Sequence, residues 1–170
     1  LEEAFKNQEV GAVTAKVYRE GQSLHGKLLR LDTEIWYNVV LPAVYSISGE
    51  YVPLSGEGLA IRTSLLRKVG GFPESLTEDG MLTIDIALHG YKVLYMNALL
   101  VEKAPQTFKS HLRQRIRWIQ GYYQCMKRLA RKAFHMSLKA IAGLLLAYMA
   151  PILAISAMIS DTIFATYWGA

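Results

Sequence analysis

From Ser75 to Tyr91 the chain reads SLTEDGMLTIDIALHGY, with two adjacent carboxylates, Glu78 and Asp79, just ahead of an amphipathic helical pattern. Such a pair either starts a helix or moves a proton. Ser75 with Glu78 three residues later fits a capping box, and acidic side chains are favoured at a helix N-terminus by its partial positive charge. Capping accounts for Glu78. It accounts less well for Asp79, because the box already has its glutamate and Gly80 weakens the helix just where a tight start needs support.

A second constellation is QRIRW, Gln114 to Trp118. Gln114 and Trp118 are four residues apart and Arg117 is three from Gln114, so an amide, a guanidinium and an indole converge on one side of a helix. Together they suit a sugar diphosphate: Arg forks onto phosphate oxygens, Gln fixes hydroxyls, and Trp stacks on the apolar face of a sugar ring. Taken alone, the cluster reads first as surface arginines beside a tryptophan at a lipid interface.

These groups need elements to hold them. VGAVTAKVYR, Val10 to Arg19, alternates as a strand, and Leu28 to Tyr45 gives a helical pattern interrupted at Pro42. YVPLSGEGLAIRTSLLRKVGGF reads as a strand, a glycine turn at Gly56 and Gly58, a short strand through Ile61, and a helix capped by Thr63 and stopped at Gly70 and Gly71. YKVLYMNALLVEKA gives one or two further strands before Pro105. The alternation predicts an α/β domain with both faces of its sheet covered. From Thr107 a long amphipathic helix is predicted, with Phe108, Leu112, Ile116 and Ile119 or Tyr123 on one face.

Charge is distributed unevenly. From Lys103 to Ser160 there are ten Lys or Arg and no Asp or Glu, which leaves nine bases against fourteen acids elsewhere. An acidic-to-neutral body with a basic, then apolar, tail points to a membrane surface or a polyphosphate ligand, not to nucleic acid, for which the aromatic RNA-binding motifs and zinc-finger spacings are absent. The single cysteine, Cys125, excludes an internal disulfide framework and places the soluble part in a reducing compartment. No signal peptide is visible. Ala140 to Ser160 are 21 consecutive uncharged residues, about 31 Å as a helix and close to the thickness of a bilayer core. A membrane helix is expected over 138–160, with Pro151 tolerated inside it. Five basic residues from Lys127 to Lys139 precede it and Asp161 follows, so the N-terminal side is expected in the cytoplasm and 161–170 beyond the membrane.

In order, TED at Thr77 to Asp79, QRIRW about 35 residues on, and a basic helix feeding an apolar span resemble the C-terminal half of a family 2 inverting glycosyltransferase. The membrane-embedded processive synthases of cellulose, hyaluronan and poly-N-acetylglucosamine are the types it looks most like. SGEGLAIRTSLLRKVGGFPESLTEDGML also looks like the segment that links the glycine turn to the catalytic carboxylate in these enzymes. The resemblance implies a partial GT-A domain over 1–106, an interface helix carrying QxxRW over 107–137, and the membrane helix after it. It implies Asp79 as the general base on the acceptor hydroxyl, positioned by Glu78 and Thr77. Gln114 and Arg117 would contact donor diphosphate and acceptor, Trp118 would form a stacking floor at the mouth of a polymer channel, and Arg115, pointing elsewhere, would be a weaker phosphate contact. Gly56 and Gly58 would form the turn on the substrate side.

The implied donor is a nucleotide-diphospho-sugar, the acceptor a growing polysaccharide or a lipid, and the setting the plasma membrane and its lipids, with the catalytic domain cytoplasmic. A divalent cation, Mg or Mn, is implied as well, but the family's DxD motif is expected upstream of Leu1 and LDT at Leu31 to Thr33 does not replace it. No metal site is expected in these residues: His25, His89, His111 and His135 read as surface or packing histidines, and the chain by itself is expected to be inactive. The alternatives are transfer of a single sugar to a lipid and, outside catalysis, a membrane-anchored module whose basic helix binds anionic lipid.

Overall fold

The computed structural model describes residues 1–105 and 107–168, with side chains throughout that range except at 24, 25 and 154–168. Strand β1 (Val10–Glu20) lies at the centre of a three-stranded sheet, antiparallel to β2 (Leu59–Ile61) and parallel to β3 (Lys92–Lys103). Val10 to Thr14 are buried without alternation, so both faces of the strand are covered there. The segment after Tyr91 forms one strand. Its register steps from Ala15↔Met96 to Lys16↔Leu99, so Asn97 and Ala98 bulge out of the ladder.

Two predicted features are replaced for identifiable reasons. The strand expected at Tyr51 shrinks to a single bridge to Val93. The loop that follows sends its backbone N–H groups to side chains, Leu54 N–H to Thr83 Oγ1 (2.9 Å) and Ser55 N–H to Thr14 Oγ1 (3.1 Å), so it needs no neighbouring strand. Nor does the helix break at Pro42. Helix α1 (Leu24–Ile35) runs through a π-helical segment, Trp36–Val40, into α2 (Leu41–Ser48), whose first turn holds Pro42. The proline has no N–H for the carbonyl of Asn38 and its ring crowds that carbonyl; the wider turn, with Leu41 N–H bonded to Trp36 O, relieves both.

A short helix α3 (Thr63–Lys68) leads to α4 (Glu78–Leu88), where Leu82 to Ala87 are six consecutive buried residues. The helix is therefore enclosed on both sides rather than amphipathic. Leu82 and Ile86 join the sheet core with Ala12, Leu54 and Val93, while Ile84 and Ala87 join a second core with Cys125, Leu129, Leu144 and Tyr148. Each fully buried Leu or Ile contributes about 1.5–3 kcal/mol relative to exposure.

The second core is completed by α5 (Phe108–Lys132) and α6 (Leu138–Trp168). Thr107 and Ser110 form a reciprocal capping box that starts α5. The face of α5 that packs inward carries Gly121, Cys125 and Leu129, whereas the predicted apolar row points outward, with Phe108 69% and Tyr123 64% exposed. On α6, Ala140, Gly143, Leu144, Ala147 and Tyr148 face the body and Leu138, Leu145, Leu146 and Leu153 are exposed. Among the described residues no helix is long and apolar enough to cross a membrane. The C-terminal part of the span expected over 138–160 lies outside the described side chains.

Helix α6 meets α2 at Gly143, where a Cβ would run into the side chain of Ser48, with the Ser48 Cα 3.0 Å away. Ser48 is fully buried and its Oγ accepts from Tyr51 N–H at 3.0 Å, so it has no room to retreat. Gly143→Ala in the full-length protein is therefore expected to cost about 1–3 kcal/mol by overpacking. Thermal unfolding measures it, and an unchanged melting temperature would refute close α2–α6 packing.

Candidate active site

The first turn of α4 does not use the predicted capping box. Its N-cap is Thr77, which makes no side-chain cap, and Ser75 Oγ donates instead to Gln124 Oε1 at 3.1 Å. Asp79 bonds outward from the helix start: Oδ2 accepts from Gly56 N–H at 2.8 Å and Oδ1 from Gly80 N–H at 2.7 Å. The carboxylate thereby fastens the glycine turn to α4. Burial raises its pKa above the ordinary aspartate range, the two N–H bonds pull it back, and the neighbouring charge of Glu78 raises it further. A carboxylate poised in this way binds a proton more readily than an exposed one.

One face of α5 straps down the same loop. Arg117 Nη1 donates to Leu76 O at 2.7 Å, Gln124 Oε1 accepts from Leu76 N–H at 3.3 Å, and Thr77 Oγ1 lies 3.5 Å from Cys125 Sγ. A turn further on, Arg128 pairs with the buried Asp85. Gly121 sits at the middle of this face, where a Cβ would collide with the Thr77 side chain. From α6, Tyr148 O–H donates to Gly80 O at 2.8 Å. Burial pushes the Cys125 thiol up to about 11, so it packs as an inert group and supplies no thiolate.

Between these elements lies a cavity of about 360 Å³. Ser55, Gly56, Glu57 and Thr77 to Gly80 form one wall; Gln114, Arg115, Arg117, Trp118 and Tyr122 of α5 form a second. Asp32, Thr33, Ile35, Trp36 and Tyr37 close a third side, and Ala147, Tyr148, Ala150 and Pro151 of α6 the fourth. Of the residues named from the sequence, Thr77, Glu78, Asp79, Gly56, Gln114, Arg115, Arg117 and Trp118 meet in this one space. Gly58 does not line it; its N–H goes to Ser55 O at 3.1 Å, and a Cβ there would press on Ala15 Cβ at 3.2 Å.

The individual placements refine the sequence reading. Gln114 Oε1 is buried with no hydrogen-bond partner among the described residues, an acceptor for which a hydroxyl or amide of a bound molecule is the natural donor. Arg117 lines the cavity but commits one nitrogen to the Leu76 carbonyl. Arg115 does not point elsewhere. It pairs with Asp32, donates to His111 Nε2 at 2.9 Å, and lies over the Trp118 ring with its guanidinium carbon 4.6 Å from the centroid. Sequence reasoning missed Trp36, Tyr37, Asp32 and Arg19, which line the same space. The aromatic pair Trp36–Tyr37 was a visible signal, but only the fold brings it to the cavity. Among the described residues no group of three His, Cys, Asp or Glu could hold a metal ion, so Asp79 and Glu78 do not make up a cation site by themselves.

A three-stranded α/β core with a carboxylate, an amide and an indole facing one cavity defines a GT-A-like architecture. The chain superposes on a mannosyltransferase from Pyrobaculum calidifontis, solved in complex with GDP-Man and Mn2+, with a TM-score of 0.52 and 19% identity over 96% of this chain and 49% of that one. The profile of glycosyl transferase family group 2 matches residues 2–169, and the chain belongs to that family. It is 38% identical over 81 residues to a probable glycosyltransferase, YdaM, of Bacillus subtilis, covering 46% of this chain and 19% of that protein. It is 28% identical over 134 residues to the poly-beta-1,6-N-acetyl-D-glucosamine synthase of Staphylococcus epidermidis, covering 75% and 32%. The chain thus spans a third or less of these curated relatives.

The Gly121–Thr77 contact makes a second-site prediction. Gly121→Ala should push α5 off the TED loop, lowering stability by about 1–3 kcal/mol and turnover with it. Thr77→Ala removes the two atoms that a new Cβ would meet first, so the double variant should melt higher than Gly121→Ala alone. A double variant that melts no higher would show that the loss arises elsewhere.

Proposed function

We propose that this chain is the acceptor-side part of a glycosyltransferase that moves a sugar from a nucleotide-diphospho-sugar to a polysaccharide, with inversion at the anomeric carbon. The observation that carries the reading is the half-buried Asp79 carboxylate, held by two backbone N–H groups at a cavity shared with Trp118 and with Gln114 Oε1, which has no partner among the described residues. An acceptor hydroxyl gives its proton to Asp79 while its oxygen bonds to the anomeric carbon, and the bond from that carbon to the diphosphate breaks. Gln114 orients the acceptor by receiving a hydroxyl proton in a hydrogen bond, and Trp118 supports a ring by apolar contact. Arg117, with its remaining nitrogens, and Arg115 face the developing charge on the leaving diphosphate. Thr77 and Glu78 set the start of α4. A divalent cation, Mg or Mn, expected of the family, finds no ligand set among the described residues, and no step here depends on it.

The relative that makes poly-beta-1,6-N-acetyl-D-glucosamine supports a polysaccharide product and a processive, membrane-embedded enzyme. The apolar outer faces of α5 and α6 support an interfacial helix followed by a membrane span over 138–160, with membrane lipid around it and the body on the cytoplasmic side of the plasma membrane. Transfer to a lipid acceptor is the second reading, favoured by the run of Ala147, Ala150 and Pro151 along one cavity wall. A lipid-binding module without catalysis leaves the half-buried Asp79 carboxylate and the buried Gln114 Oε1 unexplained.

In the full-length enzyme, Asp79→Asn should lower turnover by about two to four orders of magnitude while sparing donor binding. Because the native pKa of Asp79 is raised, the base is lost as pH falls through a value above the ordinary aspartate figure of about 3.9. The acid limb of the pH–rate profile should therefore lie above that figure. Near-normal turnover in a folded Asp79→Asn protein would sink the assignment. For topology, Cys125→Ser protein carrying single cysteines at Ser75 or Thr162 should react with an impermeant thiol reagent outside intact cells only at 162. Labelling at 75 would reverse the orientation.

A further inference from the structure

Arg19, next to last on β1, is 3% exposed and lines the cavity, yet no part of the chemistry above uses it. Its Nη2 donates to Glu57 Oε1 at 2.5 Å and its Nε to Glu102 Oε2 at 3.2 Å, while its guanidinium carbon lies 5.4 Å from the Trp118 ring centroid. One buried cation thus touches three other segments: the glycine turn, β3 and α5. A buried ion cluster of this kind is weak support for stability, since apolar groups of similar size often serve as well. What distinguishes this one is its partners. Glu57 is the neighbour of Gly56, whose N–H holds Asp79, and Trp118 is the indole beside Gln114.

We propose that Arg19 is a positioning residue: clamped by Glu57 and Glu102, it sets the spacing between the Gly56 turn, and through it Asp79, and the indole of Trp118. The inference rests on the reading of Asp79 as the base. The forked guanidinium holds the turn through Glu57 and is itself anchored to β3 through Glu102, and its face lies against the Trp118 ring. Glu57, partly buried, depends on that cation, and losing it would release the turn. An acceptor resting on Trp118 would then sit out of reach of a carboxylate that has moved with the turn.

The test compares Arg19→Met, Arg19→Lys, Glu57→Gln and the Arg19→Met/Glu57→Gln double variant in the full-length enzyme, measuring kcat, KM for donor and acceptor separately, and thermal unfolding. Misplacement of about 1 Å costs about a hundredfold in rate, so Arg19→Met should lose on that order in kcat and raise the acceptor KM, with donor KM and melting temperature held. Arg19→Lys should recover part of the loss, because it restores the charge but not the fork. The double variant should be no worse than Arg19→Met, as expected for two residues acting through one contact. Should Arg19→Met fail to fold, Glu57→Gln carries the test and must show the same kcat and acceptor-KM pattern. Wild-type kcat in either folded variant overturns the proposal, as does a loss of kcat that merely follows melting temperature. Asp79→Asn in the same assay separates the two readings: an active Asp79→Asn protein removes the base, whereas an inactive one beside a fully active Arg19→Met removes only the role of Arg19.

Discussion

The site depends on how closely α5 approaches the start of α4. Gly121 against Thr77 brings the two backbones together at a point where no other residue fits, and Cys125 against Thr77 and Gly80 continues the contact. Small residues rather than large apolar ones define this seam, so the approach is set by backbone shape. With α5 seated there, Arg117 and Gln124 reach the Leu76 backbone, and Gln114, Trp118 and Tyr122, on the adjacent face, look into the cavity. The TED segment and QxxRW become one site because the helix carrying the second is wedged against the loop carrying the first.

Around that seam the polar groups are arranged to keep one carboxylate usable. Partial burial raises the proton affinity of the Asp79 carboxylate, and two N–H groups oppose that rise. The cations nearby are committed: Arg19 to Glu57 and Glu102, Arg115 to Asp32, Arg128 to Asp85. A guanidinium beside Asp79 lowers its pKa, so pairing Arg19 and Arg115 with carboxylates offsets their effect on it, whereas Arg117 bonds the Leu76 carbonyl.

Much of this was legible in the sequence, for reasons of range. β1, β2, β3 and the long helix from Phe108 follow from alternation, glycine turns and helical spacing, all local signals, whereas Thr63, read as a cap, is the first residue of α3 and Arg62 stands at its N-cap without a side-chain bond. The residues of TED and QRIRW were legible as chemistry because their types and spacing are local too. What escaped needed contacts between distant segments. The apolar row Phe108, Leu112, Ile116 marked one face of α5, but not that the face packed on protein is the one carrying Gly121, Cys125 and Leu129, because hydropathy cannot tell a face that packs on protein from one that stays open. Ser75 and Glu78 matched a capping box, but Gln124, 49 residues away, claimed the serine hydroxyl. Arg19 looked like the end of a strand; only the return of Glu57, Glu102 and Trp118 to its side gives it a place in the site.

The same cavity sets a constraint on what passes through it. It runs from the Asp79 carboxylate to Ala150 and Pro151 on α6, so that carboxylate and the apolar helix share one continuous space. The wall along the way is aromatic or small: Trp36, Tyr37 and Trp118, then Ala147 and Ala150. Aromatic faces favour sugar rings at little cost in order, and small residues leave room without forming hydrogen bonds that would hold a ligand in place. Under the proposed function, a chain extended at Asp79 would therefore meet strong orientation at the reacting end and weak hold beyond it. That gradient would let a product move on after each transfer, and it would follow from where α6 packs.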